Sequence, residues 1–103
     1  MENPWRGDVA LTINGERCVL RLTLGALAAL EAELEADSLV SVVERFEGGQ
    51  FSARDVIALL RAGLSGGGHD AIDLAQAEIE GGPVKGARVA AELLARAFTM
   101  PGS

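Results

Sequence analysis

The sequence is poor in the residues that most catalytic and metal-binding chemistry needs. It contains one Cys, one His and no Tyr. A single cysteine, Cys18, cannot close an internal disulfide, and a single imidazole, His69, is a weak start for a metal centre. Cys18 falls among apolar neighbours in a predicted strand and reads as a small buried hydrophobe. A reactive thiol needs an electropositive, open setting, whereas Arg17 and Arg21 belong to the opposite strand face. No apolar run reaches the roughly 18 residues of a membrane-spanning helix. The first residues lack a basic stretch leading into an apolar core, so no signal peptide is expected and the expected compartment is cytoplasmic. Basic residues are also scarce, with 9 Lys and Arg against 15 Asp and Glu for a net charge of −6. A negative surface repels phosphate backbones and anionic lipid, which argues against nucleic acid and membranes as partners. The acidic residues are too scattered to form an acidic tail.

What the sequence does have is apolar content, at 49%, carried by Ala, Leu and Val. That composition suits helix packing. A length of 103 residues suits one domain, 1–103, able to bury roughly two-thirds of its unfolded surface without a disulfide or a metal.

Residues 1–6 read as a short arm, stopped by Pro4. Val9, Leu11 and Ile13 alternate with Asp8, Ala10 and Thr12, and Asn14-Gly15 is the dipeptide most suited to a type I′ turn. Cys18, Leu20 and Leu22 continue the alternation. A two-residue turn pairs Ile13 with Glu16, Leu11 with Cys18 and Val9 with Leu20 on one face. It pairs Thr12 with Arg17, Ala10 with Val19 and Asp8 with Arg21 on the other. The hairpin is thus expected over 8–22 and helices over 24–99.

Thr23 is placed to cap a helix from Leu24 to about Ala36 that buries Leu27, Leu30 and Leu34. Asp37 or Ser38 would cap a second, with Leu39, Val42, Val43 and Phe46 in phase and Gly48-Gly49 at its end. Ser52 and Asp55 form a variant capping box, and Phe51 can staple to Val56. The third helix is predicted to run to about Leu64, burying Val56, Ile57, Leu60 and Leu64, before a flexible Ser65–Gly68 break. A weaker helix is expected from Asp70 to about Glu80. Pro83 then opens the last helix, with Val84, Ala87, Ala91, Leu94 and Phe98 as its buried stripe, flanked by Ala90, Leu93 and Ala97. The fold class is α+β: an antiparallel hairpin packed on four to five α-helices.

Four patterns could carry chemistry, and each is better read as structure. Gly63-Leu64-Ser65-Gly66-Gly67 matches G-x-S-x-G, but a nucleophile elbow needs a strand before the serine and a helix directly after it. The glycines are not followed by the Lys of a phosphate-binding loop. Asp70 and Asp73 near His69 offer too few ligands for a designed metal site. Glu31, Glu33 and Glu35 spread around their helix and form a solvated face. No catalytic, cofactor-binding or metal-ligating residue is therefore assigned, and no enzyme is expected. Trp5, Val19 and Phe51 are the candidate partner-contact residues, Trp5 either folding back on the hairpin or offering an aromatic anchor.

The order of segments carries a resemblance over nearly the whole chain. Asn3-Pro4-Trp5-Arg6-Gly7-Asp8-Val9-Ala10-Leu11 leads through the Asn-Gly hairpin into Leu20-Arg21-Leu22-Thr23-Leu24-Gly25-Ala26-Leu27. Phe51-Ser52-Ala53-Arg54-Asp55-Val56, the Gly-rich loop and Gly81-Gly82-Pro83 before an Ala/Leu helix follow. This resembles the small tail proteins of gene transfer agents, which are grouped with phage tail assembly chaperones and sometimes labelled tail tube proteins. The resemblance implies a chaperone that binds the tape-measure protein, or the tail tube protein, during tail morphogenesis. A structural tube or connector component is the alternative, and a small regulatory adaptor a further one. It also implies a cytoplasmic protein with a route into the phage-like particle, while the open hairpin edges suggest homo-oligomers.

Overall fold

Asn14 and Gly15 both adopt positive φ, at 54° and 81°, as a type I′ turn requires. The computed structural model describes residues 8–34, 39–69, 74 and 76–98, and within helices the side chains of Leu39 and Phe98 lie outside the description. On either side of the turn run β1 (Val9–Ile13) and β2 (Glu16–Leu20). Their antiparallel register is the one the alternation dictates: Val9 with Leu20, Ala10 with Val19, Leu11 with Cys18, Thr12 with Arg17 and Ile13 with Glu16. Val9, Leu11, Ile13, Cys18 and Leu20 are all buried on one face, so the period-2 pattern delivers a continuous apolar surface to the helices.

Four helices follow among the described residues: α1 (Leu24–Glu33), α2 (Leu39–Glu47), α3 (Ala53–Gly66) and α4 (Gly82–Phe98). The fold is therefore α+β, a two-stranded hairpin with helices packed on it. Thr23 caps α1, its Oγ1 accepting from the Ala26 N–H at 3.1 Å. Leu30 and Leu34 are buried while Leu27 is half-buried, and α1 ends earlier than the sequence suggested. The expected caps Asp37 and Ser38 lie outside the described residues. In α3 the capping box is present as predicted. Ser52 Oγ accepts from the Asp55 N–H at 3.2 Å, and Asp55 Oδ2 accepts from the Ser52 N–H at 2.9 Å.

Three expectations need correcting. The Ser65–Gly68 stretch is not a flexible break: Ser65 and Gly66 form the last turn of α3, and Gly67 caps it. The glycines are there for proximity. A β-carbon on Gly67 would run into the Val19 carbonyl, and one on Gly66 into the Arg21 carbonyl, so α3 ends in direct backbone contact with β2 and the residue following it. The second correction concerns residues 76–80. Instead of finishing a helix, residues 78–80 run alongside β1: Ile13 bridges Ile79, the Asn14 N–H donates to the Glu78 carbonyl at 2.8 Å, and the Glu80 N–H donates to the Thr12 carbonyl at 3.0 Å. Residues 70–73, where that helix was expected to start, lie outside the described residues.

The third correction is rotational. On α4 the buried row is Gly86, Val89, Ala90, Leu93 and Leu94, whereas Val84 is 72% exposed and Ala87 and Ala91 are half-buried. On α3 the buried set is centred on Leu59, Leu60, Ala62, Gly63 and Leu64, with Val56 and Ile57 half-buried. An Ala-rich helix is apolar over much of its circumference, so periodicity alone does not say which half meets the core. Each fully buried Leu contributes roughly 1.5–3 kcal/mol, which makes the Leu59–Leu64 and Leu93–Leu94 side the favoured one.

The hairpin edges are also less open than their sequence implied. In a two-residue hairpin, alternate residues turn their N–H and C=O outward. Of these, the Asp8 carbonyl accepts from Arg96 Nη1 at 2.8 Å, the Thr12 carbonyl accepts from Glu80, and the Arg21 N–H donates to the Gly63 carbonyl at 2.9 Å. Groups on both edges that could have paired with another copy are thus engaged within the chain.

Candidate functional site

Residues of α3 and α4 outside the main core face one another across a gap. Ala53, Val56, Ile57 and Leu60 follow the i, i+3, i+4, i+7 spacing of one helix face, and Pro83, Gly86 and Ala87 follow i, i+3, i+4 on the other. Between them lies a groove of about 370 Å³, closed along one side by Leu74 and Ile79. Phe51 stands at the end where α3 begins. None of the lining residues carries a charge.

The position of Phe51 is set locally. Its ring stacks on Phe46 with centroids 4.6 Å apart and planes 1° from parallel. Arg45 Nη1 donates to Asp55 Oδ1 at 3.2 Å, and the Gln50 N–H donates to the Arg45 carbonyl at 2.8 Å. The ring stack, the ion pair and the capping box together fasten the turn between α2 and α3. Phe46 looks the other way, into a smaller hollow of about 170 Å³ formed with Val43, Ala91 and Leu94.

Gly86 forms part of the groove floor. A β-carbon built there meets Ile79 Cδ1 at 3.5 Å, Leu60 Cδ1 at 3.6 Å and Val56 Cγ1 at 3.8 Å, all ordinary van der Waals separations. Gly63, on the buried side of α3, is different: its β-carbon would stand 2.9 Å from Leu93 Cδ1 and 3.1 Å from Leu20 Cβ. The second glycine is needed for packing; the first is not.

Of the three candidate contact residues, Phe51 lies on this groove. Val19 is half-buried on the hairpin face away from the core, its carbonyl against Gly67. That places it beyond the far end of α3, about 20 Å from Phe51 at 1.5 Å per residue, so the two do not share a surface. Trp5 lies outside the described residues. Sequence reading missed Leu74, Ile79, Pro83, Gly86 and Ala87 as lining residues. For Leu74 and Ile79 the signal was hidden, because the segment was read as a weaker helix.

Ser65 is exposed on the last turn of α3 and His69 follows the glycines; both border a hollow of about 460 Å³ with Thr23, Leu30, Glu33 and Arg61. Arg61 Nη1 donates to Glu33 Oε2 across it at 2.6 Å. The serine thus sits inside a helix, without the strand–turn–helix of a nucleophile elbow. Among the described residues no three of His, Cys, Asp and Glu gather as metal ligands, and no helix is long and apolar enough to cross a membrane. Cys18 is fully buried, and that burial, followed by the nearby Glu16 charge, pushes its thiol pKa up.

A family model described as phage tail tube protein, GTA-gp10, matches residues 6–100. The match covers both strands and all four helices and leaves Trp5 outside it. No curated protein and no solved structure matches. A hairpin-and-helix chain whose sequence fits that model from before β1 to beyond α4 belongs to the phage tail tube protein (GTA-gp10) family of phage and gene-transfer-agent tail proteins.

Proposed function

We propose that this protein acts in tail morphogenesis as a cytoplasmic chaperone, holding an apolar helical segment of the tape-measure protein until the tube forms around it. The observation that carries this reading is the uncharged groove between α3 and α4, open to solvent on a body of net charge −6. Such a groove suits the helix-in-groove mode of recognition, in which an amphipathic helix lays its apolar stripe between two helices. The work is binding, not turnover. Gel filtration of the purified chain with tape-measure fragments tests it: a complex is expected with at least one fragment, and the failure of every fragment to co-elute rejects the reading.

The family's description favours a second reading, a tube or connector subunit that stays in the particle. Against it stands the architecture. The hairpin is the one sheet among the described residues, and outward groups on its edges are already bonded within the chain, leaving little for strand pairing around a ring. Quantitative mass spectrometry of purified particles separates the two. A tube subunit is present in many copies, whereas a chaperone is depleted.

A further inference from the structure

The Asn14-Gly15 turn that sets the hairpin register is also a chemically reactive peptide. An asparagine followed by glycine loses its side-chain amide readily, because no β-carbon shields the glycine nitrogen. Asn14 and Gly15 are both exposed, and the space beside Gly15 is open. In the reaction the Gly15 nitrogen attacks Asn14 Cγ. A C–N bond forms, the Cγ–Nδ2 bond breaks, and ammonia leaves with the proton that Gly15 gives up. Water then opens the succinimide at either carbonyl, giving aspartate, or isoaspartate with an extra atom in the main chain.

The fold holds Asn14 out of the geometry this needs. With φ at 54° the residue has the left-handed conformation of a type I′ turn, in which ψ is positive too. Such a ψ turns the next nitrogen away from the β-carbon, whereas ring closure needs the two nearly eclipsed. Asn14 is also bolted twice to one distant residue. Its N–H donates to the Glu78 carbonyl, and the Glu78 N–H donates to Asn14 Oδ1, each at 2.8 Å. Turning Cγ onto the Gly15 nitrogen pulls Oδ1 from that donor. The clasp itself is lightly anchored. Residues 76–80 carry no fully buried side chain, meet β1 through the single Ile13–Ile79 bridge, and run into Gly81-Gly82, both at positive φ. A segment with so little buried apolar surface opens locally at far lower cost than global unfolding.

We propose that Asn14 is a gated modification site: it is protected while Glu78 holds it, and it converts to aspartate or isoaspartate when residues 78–80 lift from β1. Conversion is a one-way record of that opening. The aspartate form keeps an acceptor for the Glu78 N–H. The isoaspartate form has a main-chain atom that a two-residue turn has no room for, so Ile79 loses its bridge to Ile13. Ile79 also closes one side of the groove between α3 and α4, and the shape of that groove is thus tied to the state of one amide.

The full chain, aged in mildly alkaline buffer with and without urea, tests this by peptide mapping that resolves aspartate from isoaspartate at position 14. The unfolded chain should convert at least about tenfold faster than the native one, each tenfold corresponding to about 1.4 kcal/mol of opening free energy. Glu78→Pro removes the N–H that holds Oδ1 and should speed conversion several-fold in the folded protein. Ser52→Ala, which weakens the distant start of α3, should leave the rate unchanged. If Glu78→Pro does not fold, hydrogen exchange of the parent chain decides: the opening free energy read at the Glu80 N–H, which is bonded to Thr12, should equal that read from the slowed conversion. Equal rates with and without urea, or no conversion in urea, overturn the proposal. So does a folded Glu78→Pro chain with the parent rate, or a Ser52→Ala chain that converts as fast as Glu78→Pro, since global unfolding is then the gate.

Discussion

Asp8 and Arg21 face each other across the open end of the hairpin, Arg21 Nε donating to Asp8 Oδ1 at 2.7 Å, with the carboxylate fully buried and the guanidinium side chain 30% exposed. The pair is asymmetric. Removing the cation takes the guanidinium away from a buried carboxylate, whereas removing the carboxylate frees a group that water can still reach. Arg21→Met is expected to cost about 2–3 kcal/mol and Asp8→Asn about 1 kcal/mol, read from urea denaturation of each variant. Equal losses would mean that the carboxylate is better solvated than its burial implies.

The same pair bears on pH. The hydrogen bond to Asp8 raises the Arg21 pKa above its already high ordinary value, and the Asp8 charge adds to this against burial, so the guanidinium keeps its charge across the working range. Cys18 is the group that titrates nearer neutrality. Its thiol pKa is raised in the folded protein above the ordinary 9.0, so the unfolded chain loses this proton first as pH rises. The stabilisation is fully present below pH 9.0 and declines above it, as pH climbs toward the folded value. Cys18→Ala should flatten this alkaline decline, measured as the difference in thermal midpoint between the two proteins from pH 8 upward, and the native thiol should resist modification until the protein unfolds.

Gly67→Ala is predicted to be far more harmful than a loop glycine would suggest. The new methyl collides with the Val19 carbonyl, and relieving it means prying α3 from β2, at a cost above about 2 kcal/mol. Gly68, whose φ is +88° with open space around it, should lose only about 1 kcal/mol on substitution by Ala. Thermal denaturation of the two variants side by side checks the contrast.

Ser52→Ala removes a helix cap and should cost about 1 kcal/mol. Asp55→Ala should cost more, because Asp55 holds both the Ser52 N–H and Arg45. If the two losses match, the Arg45 contact contributes nothing.

The rotated face of α4 gives the fifth prediction. Val84→Ser, at a site 72% exposed, should change stability by less than about 0.5 kcal/mol, whereas Leu93→Ala, at 1% exposure, should cost about 2–5 kcal/mol.

The parts of the fold legible in the sequence were those governed by local rules. Asn14-Gly15 with its flanking alternation determines the turn, the register and the Asp8–Arg21 pairing, because a period of two admits only one in-phase solution. Ser52 and Asp55 announce a helix start because the cap uses groups three residues apart. Sequence reading failed where the answer depends on distant partners. Nothing local distinguishes Gly66 and Gly67, needed for contact with β2, from Gly68, which has space around it. Ile79 is apolar whether it lies in a helix or bridges Ile13. The apolar circumference of α4 accommodates a core face centred on Ala87 as well as one centred on Val89 and Leu93. The groove shows that ambiguity: Val56, Ile57 and Ala87 look like core in sequence and stand half-buried along it in the fold.

The bonds from Asn14 to Glu78 and from Arg96 to Asp8 span 64 and 88 positions. A ribosome that has released the chain only as far as α3 therefore holds a hairpin still lacking both of these braces. The first elements to emerge are among the last to be secured, and they wait on the arrival of α4.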